Sequence, residues 1–395
     1  MTYINFKEEV YVAKTQLKHR NDNNSMLIAE MMHKKEKLKG EYDEKYSFKE
    51  IKNKVINNAK IQKENEFIDI EDVKIACAHF IGCKFYNMRF LNCTFIGCIF
   101  DNCDFGGGGV VFENCTFVRV ESEKTPSLNI NDNLSCTFNN CMLYVKFLSS
   151  DISYVIFENS HINNTNFELT DSTCMIIVNS EMKKINIVDS DLSGVKIFDT
   201  YLEDLEFNDK MQSKLDAKSF VGKIKLRKKT KAEYEGVYMV YQNLANKFHD
   251  NNLRNNFGEY YYLGRCTQRK SLDILPRIAS TIDFITSGYG ERIFTPLIIS
   301  FVLSCIFAVI YLFTGLIQDG RIIKYGISTI FNSDFRQLLT DLNVSFKVSV
   351  GVFSGAGEDI AQTTGQSYML SNIETAIGLT MIGIGIGTLT RKIVR

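Results

Sequence analysis

The chain has 395 residues, and its 46 Lys plus Arg balance 46 Asp plus Glu, so zero net charge gives no support to a nucleic-acid binder. Eleven Cys invite a disulfide framework, but residues 1–20 are polar and charged and carry no secretory signal; a reduced, cytoplasmic protein is expected. Two or three domains are expected at this length, with residues 1–290 soluble in character and residues 297–317 free of charged side chains.

Residues 25–75 are rich in Lys, Glu and Asn, and Met26-Leu27-Ile28-Ala29-Glu30-Met31-Met32 with residues 34–44 reads as helical. Segment 1–75 is expected to cap a solenoid, whose first coil must be covered. The solenoid is announced by Phe80, Phe85, Phe90, Phe95, Phe100 and Phe105, a strict period of five. No helix or strand has that period, so it marks a repeat architecture. Gly106-Gly107-Gly108-Gly109 interrupts it, and Phe112 and Phe117 resume it. A second register runs Phe147, Ile152, Phe157, Ile162, Phe167, skips Ser172, and continues through Ile177, Met182, Ile187, Leu192, Ile197, Leu202 and Phe207.

Two residues before many centres stands a small or thiol side chain: Cys83, Cys93, Cys98, Cys103 and Cys115, then Ser150, Ser160, Thr165, Thr170, Ser180, Ser190 and Thr200. If five residues make one side, four units close a square coil, and coils stack at about 4.8 Å. The large centre and the small residue both point inward; the polar remainder faces solvent. A spacing of five does not match the close Cys pairs of zinc sites, so the thiols are expected as small buried side chains. Residues 119–133 break the register and read as an extruded loop. The pattern resembles the pentapeptide-repeat family, which implies a right-handed quadrilateral β-helix over 76–208. Some members of that family imitate DNA and bind topoisomerases, which needs an acidic surface; this one mixes Lys, Asp and Glu.

After Phe207 comes a basic run, Lys223, Lys225, Arg227, Lys228, Lys229 and Lys231, which is either a solvated linker or a contact for anionic lipid. Tyr234, Val237, Tyr241, Leu244 and Phe248 follow helical spacing. A second helix is expected over 253–270, with the turn at Asn251-Asn252. The hairpin resembles a tetratricopeptide-type repeat. It also resembles the connector of bacterial proteins that join pentapeptide repeats to a channel pore. Those carry a Gly-Tyr-Gly-Glu segment before the first membrane helix; here it is Gly288-Tyr289-Gly290-Glu291.

Residues 297–317 are long enough to span about 30 Å of hydrocarbon. Residues 375–390 are uncharged and end at Arg391-Lys392, and the helix is expected to start near Ile373 with Glu374 at the interface. Its Gly378, Gly383, Gly385 and Gly387 permit close packing and bending, a gating role for the inner helix. Flanking Arg277, Arg292, Arg391, Lys392 and Arg395 place both ends of the pair in the cytoplasm. Between the spans, residues 334–352 read as a short helix, followed by Phe353-Ser354-Gly355-Ala356-Gly357-Glu358-Asp359.

This order resembles the two-transmembrane potassium-channel-like pore family, whose filter reads Thr-Val-Gly-Tyr-Gly-Asp. The resemblance implies a selectivity filter with Gly355 and Gly357 as its glycines, Ala356 at the tyrosine position and Glu358 at the aspartate position. Phe353 and Ser354 replace Thr and Val, which implies weakened potassium selectivity. Glu358 and Asp359 would ring the mouth of a homotetramer. The expected fold is therefore multidomain: an N-terminal helical cap (1–75), the β-helix (76–208), a basic linker and helical connector (209–292) and a tetrameric two-transmembrane α-helical pore domain (293–395). In that last domain the outer helix is expected at 297–317, the pore helix and filter at 334–359 and the inner helix at 373–390.

The function implied is a membrane channel for monovalent cations with a cytoplasmic domain that senses a ligand or binds a protein. The alternative is a membrane-anchored scaffold. No phosphate loop, metal pair or nucleophile motif stands out, and His19, His33, His79, His161 and His249 are scattered, so neither enzyme chemistry, metal nor cofactor is expected.

Overall fold

A period of five closes into a coil only if the backbone turns a corner in every unit. In the computed structural model, which describes residues 3–38, 40–56, 67–120, 133–326, 334–356 and 362–394, the corners are left-handed residues. Gly82, Asn87, Asn92, Gly97, Asn102, Asn159, Asn164, Asn179, Asp189, Asp199 and Asp204 all have φ between +46° and +60°. Each sits two residues after an inward-pointing centre. That conformation costs an ordinary L residue about 1–2 kcal/mol, while Gly, Asn and Asp adopt it routinely. The Asn-rich outer positions therefore shape the backbone as well as facing water.

The chain falls into two units, Met1–Ser271 and Leu272–Arg395. In the first, parallel ladders stack coil on coil at a step of 20 residues, as in Ile156↔Ile176↔Lys196 and His161↔Glu181↔Tyr201. One ladder has eight strands from Glu50–Lys52 to Phe220–Val221, giving about seven turns. The solenoid strands thus begin before residue 76 and end after 208. Residues in 1–75 supply the first coil: Ile51 is buried in the same core as Phe80, and the Asn53 N–H donates to the Ile81 carbonyl at 2.8 Å.

Inside, Phe rings stack from coil to coil. Phe80, Phe100, Phe138 and Phe157 form one column with centroid steps of 5.1, 4.6 and 5.0 Å. Phe90, Phe112, Phe147 and Phe167 form another, at 5.1, 5.3 and 5.5 Å. Rings of neighbouring columns meet edge to face, as Phe80 meets Phe85 at 70°. Such pairs add about 0.5–1.5 kcal/mol each beyond their burial. The thiol ladder has a structural job. Cys103 and Cys141 donate to the Phe80 and Phe100 carbonyls of the preceding coil at 3.4 and 3.3 Å. Ser160 does the same to the Phe138 carbonyl at 3.2 Å. At the interruption, Val118–Val120 and Asn133–Ser135 pair antiparallel; the loop expected between them lies outside the described residues.

The expected N-terminal cap is instead a strut. Helix α1 (Phe6–His33) starts earlier than the composition suggested, and residues 34–38 form turns. It lies along the outside of the coils, with Ala13, Val10 and Leu17 on Ile176, Val178, Phe198 and Phe220. Farther along, Leu27 and Met31 meet Cys77, Ile96 and Leu134. Buried Arg20 donates to the Tyr154 and Cys174 carbonyls, and burial lowers its pKa to about 10. A helix of this length reaches about 42 Å, comparable to the stack of coils. Its apolar and polar contacts alternate, which is why its amphipathic signal in the sequence is faint.

The other end is closed by helices α2 (Lys231–Asp250) and α3 (Arg254–Gln268), turning at Asn251-Asn252 as the spacing suggested. Val237, Val240, Tyr241, Leu244, Phe248 and Tyr260 continue the solenoid core. The Tyr260 hydroxyl both accepts from the Val221 N–H and donates to its carbonyl, at 2.7 and 2.8 Å. Lys247 pairs with Asp209 at 2.6 Å. Burial alone would raise the Asp209 pKa, but Lys247, the Ser213 hydroxyl and N–H and the Asp189 N–H hold it down to about 2. The basic run is partly spent on the solenoid: Lys225 pairs with Asp199 at 3.0 Å and Arg227 with Glu181 at 2.7 Å.

Two expectations follow. Phe100→Ala opens a cavity in the middle of a ring column and is expected to destabilise the solenoid by about 3–5 kcal/mol. Cys103→Ser, which installs the hydroxyl used by later coils, should cost far less. Thermal unfolding of the full chain, with hydrogen exchange locating the loss, separates the two. Secondly, Asp209 has a depressed folded pKa, so its stabilisation is present above the unfolded value near 4 and is lost as pH falls towards 2. After screening this amounts to on the order of 1 kcal/mol. Asp209→Asn should remove that part of the acid dependence of Tm.

Candidate functional site

Apolar residues with no charge to solvate them make long helices that need a non-aqueous or protein surround. The second unit contains two helices long and apolar enough to cross a membrane. They are α5 (Phe294–Thr314) and the stretch Ser367–Ile393 of the last helix; only 28% and 22% of their most apolar windows are buried. Leu297, Ile298, Phe301, Leu379, Ile386 and Leu389 are exposed. Ahead of α5 lies α4 (Ile274–Ser287). After α5 comes a hairpin of Leu316–Gln318 and Arg321–Ile323, then α6 (Phe335–Ser354) and α7 (Gly365–Val394).

The Gly288-Tyr289-Gly290-Glu291 segment ties the two apolar helices together. Gly288 and Gly290 have φ of +55° and +74°, which a tight turn after α4 requires. That turn buries Tyr289, whose hydroxyl lies 3.0 Å from the Ser280 hydroxyl. Glu291 is 1% exposed and faces Arg391 and Lys392 at 3.6 and 3.4 Å. Arg391 also donates to the Tyr289 carbonyl. The start of α5 and the end of α7 therefore share one end of the bundle.

At the other end, Leu316–Gln318 pairs with both Arg321–Ile323 and Gln362–Thr363. Asp341 of α6 accepts from Tyr325 at 2.6 Å, Arg321 at 3.0 Å and Gln337 at 3.0 Å. Burial, then Asp341, pushes the Tyr325 pKa up to about 12. From this end α6 runs down between α5 and α7. It stops where Phe353 meets Gly378, about halfway along α7. An added Cβ on Gly378 would lie 1.9 Å from the Phe353 carbonyl oxygen, so only glycine admits this approach. Thr375 donates to the Val352 carbonyl beside it at 3.2 Å. The next described residue, Gln362, is back at the hairpin.

The predicted site residues divide accordingly. Phe353 is buried in the last turn of α6 and Ser354 is exposed at its end. Both were expected in the filter loop, but the periodic stretch 334–352 simply continues as helix through them. Gly355, φ +71°, is the left-handed stop. Its N–H donates to Val352, and the Ala356 N–H to Gly351, the paired bonds of a Schellman motif. Gly357, Glu358 and Asp359 lie outside the described residues. Of the four inner-helix glycines, Gly378 holds α6, Gly385 lies near Pro296, and Gly383 and Gly387 face open space.

Sequence reasoning misplaced Glu374. It is not at an interface but 0% exposed, taking the Tyr311 hydroxyl of α5 on Oε2 at 2.7 Å and the Ser349 hydroxyl of α6 on Oε1. Its signal was a lone acid within an apolar run, which marks an inward position. Ser304, Ser345, Ser349, Ser367 and Asp341 are buried as well, so the three helices enclose polar groups behind apolar outer faces.

Gly378→Val is expected to expel α6 from its seat, lowering the Tm of the full chain in detergent by an amount equivalent to about 1–3 kcal/mol or more. Gly387→Ala, in open space within the same helix, is the control and should not lower the Tm.

Residues 77–121 match the family described as Pentapeptide repeats (9 copies). No curated protein matches the chain. Among solved structures, a trypsin-treated form of QnrB1, a plasmid-mediated fluoroquinolone resistance protein, is 19% identical over 42% of this chain and 70% of its own, with a TM-score of 0.19. Full-length QnrB1 is 14% identical over 40% and 94%, TM-score 0.15. Rfr23, a pentapeptide repeat protein from the cyanobacterium Cyanothece 51142, is 19% identical over 27% and 78%, TM-score 0.14. Likeness at these scores adds nothing to a fold already read from strand register. The chain carries pentapeptide repeats folded as a β-solenoid, followed by a helical region in which two helices are long and apolar enough to cross a membrane.

Proposed function

We propose that copies of this chain assemble in a membrane as a homotetrameric pore for monovalent cations, with the solenoid on the cytoplasmic side as a sensing or partner-binding domain. The observation that carries this reading is the depth of α6. It enters from the hairpin end and stops halfway along α7, with its carbonyl end beside Gly378. Aligned peptide dipoles place roughly half a negative charge at such an end. In an apolar surround, several such ends around an axis attract cations rather than anions. Glu358 and Asp359, next in the chain, would add negative charge at the mouth of such an assembly.

The apolar outer rows on α5 and α7 supply surfaces for lipid and for neighbouring copies. Polar contacts concentrate at the two bundle ends, around Glu291 and around Asp341. One specific observation favours the scaffold reading: Phe353 and Ser354 are helical, so they leave less chain for a filter. In that reading the helices anchor a solenoid that binds a protein partner.

Purified full-length chain in planar bilayers, potassium on one side and sodium on the other, is expected to give unitary cation currents that reverse near zero. Reversal at the potassium equilibrium value would overturn the weakened-selectivity part. Folded tetramers that stay silent under every condition tried would overturn the pore and leave the anchor.

A further inference from the structure

The helix ahead of α5 is built inside out. On α4 (Ile274–Ser287), Ile274, Leu275, Ile278, Ile282 and Ile285 are between 47% and 79% exposed. At 3.6 residues per turn they share an arc of about 100°, and no other residue of the helix falls within it. The side turned to the protein carries Ser280 and Ser287, both buried. The Ser280 hydroxyl meets the Tyr289 hydroxyl at 3.0 Å, and Ser287 donates to the Asp283 carboxylate at 2.7 Å. A surface helix in water has the reverse arrangement, with its apolar stripe towards the core and its polar face outward. A row made only of Ile and Leu and turned outward calls for a surround that is not water.

Length and composition decide what that surround is. The 14 residues of α4 rise about 21 Å, short of the roughly 30 Å of hydrocarbon that a spanning helix must cross. Arg277 and Asp283 stand off the row, and a spanning pose would carry them into the hydrocarbon. The cores of protein interfaces favour Tyr, Trp, Phe, Met and Arg, and the row has none of these. The row also continues in kind at the start of α5, where Phe294, Leu297, Ile298 and Phe301 are exposed. Between the two stands Glu291 with Arg391 and Lys392, charged groups that belong at the water boundary of a bilayer and not in its core. α4 adjoins that level.

We infer that α4 is a membrane-surface helix, lying in the plane of the lipid headgroups with its Ile and Leu row sunk about 5–10 Å towards the acyl chains. Its partner is a lipid bilayer, met through aliphatic side chains. The Gly288-Tyr289-Gly290-Glu291 turn joins it to α5, and Tyr289, buried against Ser280, braces that joint. A helix held at the surface thereby fixes the level at which α5 enters. This inference rests on the membrane part of the proposed function and is independent of cation flow.

The chain has no Trp, so a single introduced Trp reports alone. The test places full-length Ile278→Trp in phosphatidylcholine vesicles whose lipids carry bromine either near the top of the acyl chain or near its end. Shallow bromines are expected to quench its emission several-fold more than deep ones, and aqueous iodide to have little effect. Ile282→Trp, one turn on in the same row, should behave alike and serves if Ile278→Trp does not fold. Ile306→Trp, exposed near the middle of α5, checks the membrane reading itself and is expected to respond most to deep bromines. If Ile306→Trp responds while only iodide reaches Ile278→Trp, the row faces water and the proposal falls. If neither iodide nor bromine reaches Ile278→Trp, protein covers the row, which also overturns it, as would quenching greatest from deep bromines. An Ile306→Trp that no brominated lipid quenches would sink the membrane reading, and this inference with it.

Discussion

The solenoid depends on one constraint: each coil finds its backbone hydrogen-bond partners in the coils above and below. Ile156, Ile176 and Lys196 occupy the same place on successive turns. That arrangement dictates the rest. Each side has room for one large inward side chain and, two residues earlier, one small one. The small one carries a proton for a backbone carbonyl: the thiols and Ser150, Ser160 and Ser190 reach the coil below, while Ser180, Thr165 and Thr200 bond the carbonyl two residues back in their own coil. The corner between sides demands left-handed backbone, which is why Asn, Asp and Gly recur. A coil at either end still has unpartnered edges. At one end the Tyr260 and Tyr241 hydroxyls meet the backbone of Val221 and Ile224. Along the flank, Arg20 and Asn24 engage coil backbone, at Cys174 and Ser135.

The helical unit answers the opposite problem. Its outer surface is apolar, so polarity must be placed at the ends or sealed inside. At one end Glu291 gathers Arg391 and Lys392; at the other Asp341 gathers Tyr325, Arg321 and Gln337. Between them Glu374 joins three helices. Close approach and hydrogen bonds supply cohesion among these three helices. Gly378 against the Phe353 carbonyl provides the first and Ser349 with Tyr311 the second.

Periodicity was the most legible feature because it records a local rule repeated many times. The Phe register, the small column, the hairpin turn at Asn251-Asn252 and the two apolar helices all follow from residues near one another in the chain. The thiol ladder was legible as buried small side chains, though its hydrogen bonds to the preceding coil were not. The limits of the solenoid were less clear, since its first coil uses Ile51 in a stretch with no Phe register. The role of α1 was illegible for a related reason. Among its inward residues Arg20, Asn23 and Asn24 are polar, and only the carbonyls of Tyr154, Cys174 and Asn133 and the hydroxyl and N–H of Ser135 explain their burial.

The sequence alone thus determined the five-residue coil and the two long apolar helices, because each rests on a side-chain pattern carried by neighbouring residues. The tertiary structure decided which lone residues matter. Glu374 reads as an interfacial acid until Tyr311, 63 positions away, and Ser349, 25 positions away, close around it. Gly355 reads as a filter glycine, yet it is the left-handed stop of a helix whose last turn docks on Gly378. A repeated local pattern carries its meaning in its period. A single polar group in an apolar helix acquires meaning only from partners that the fold brings to it.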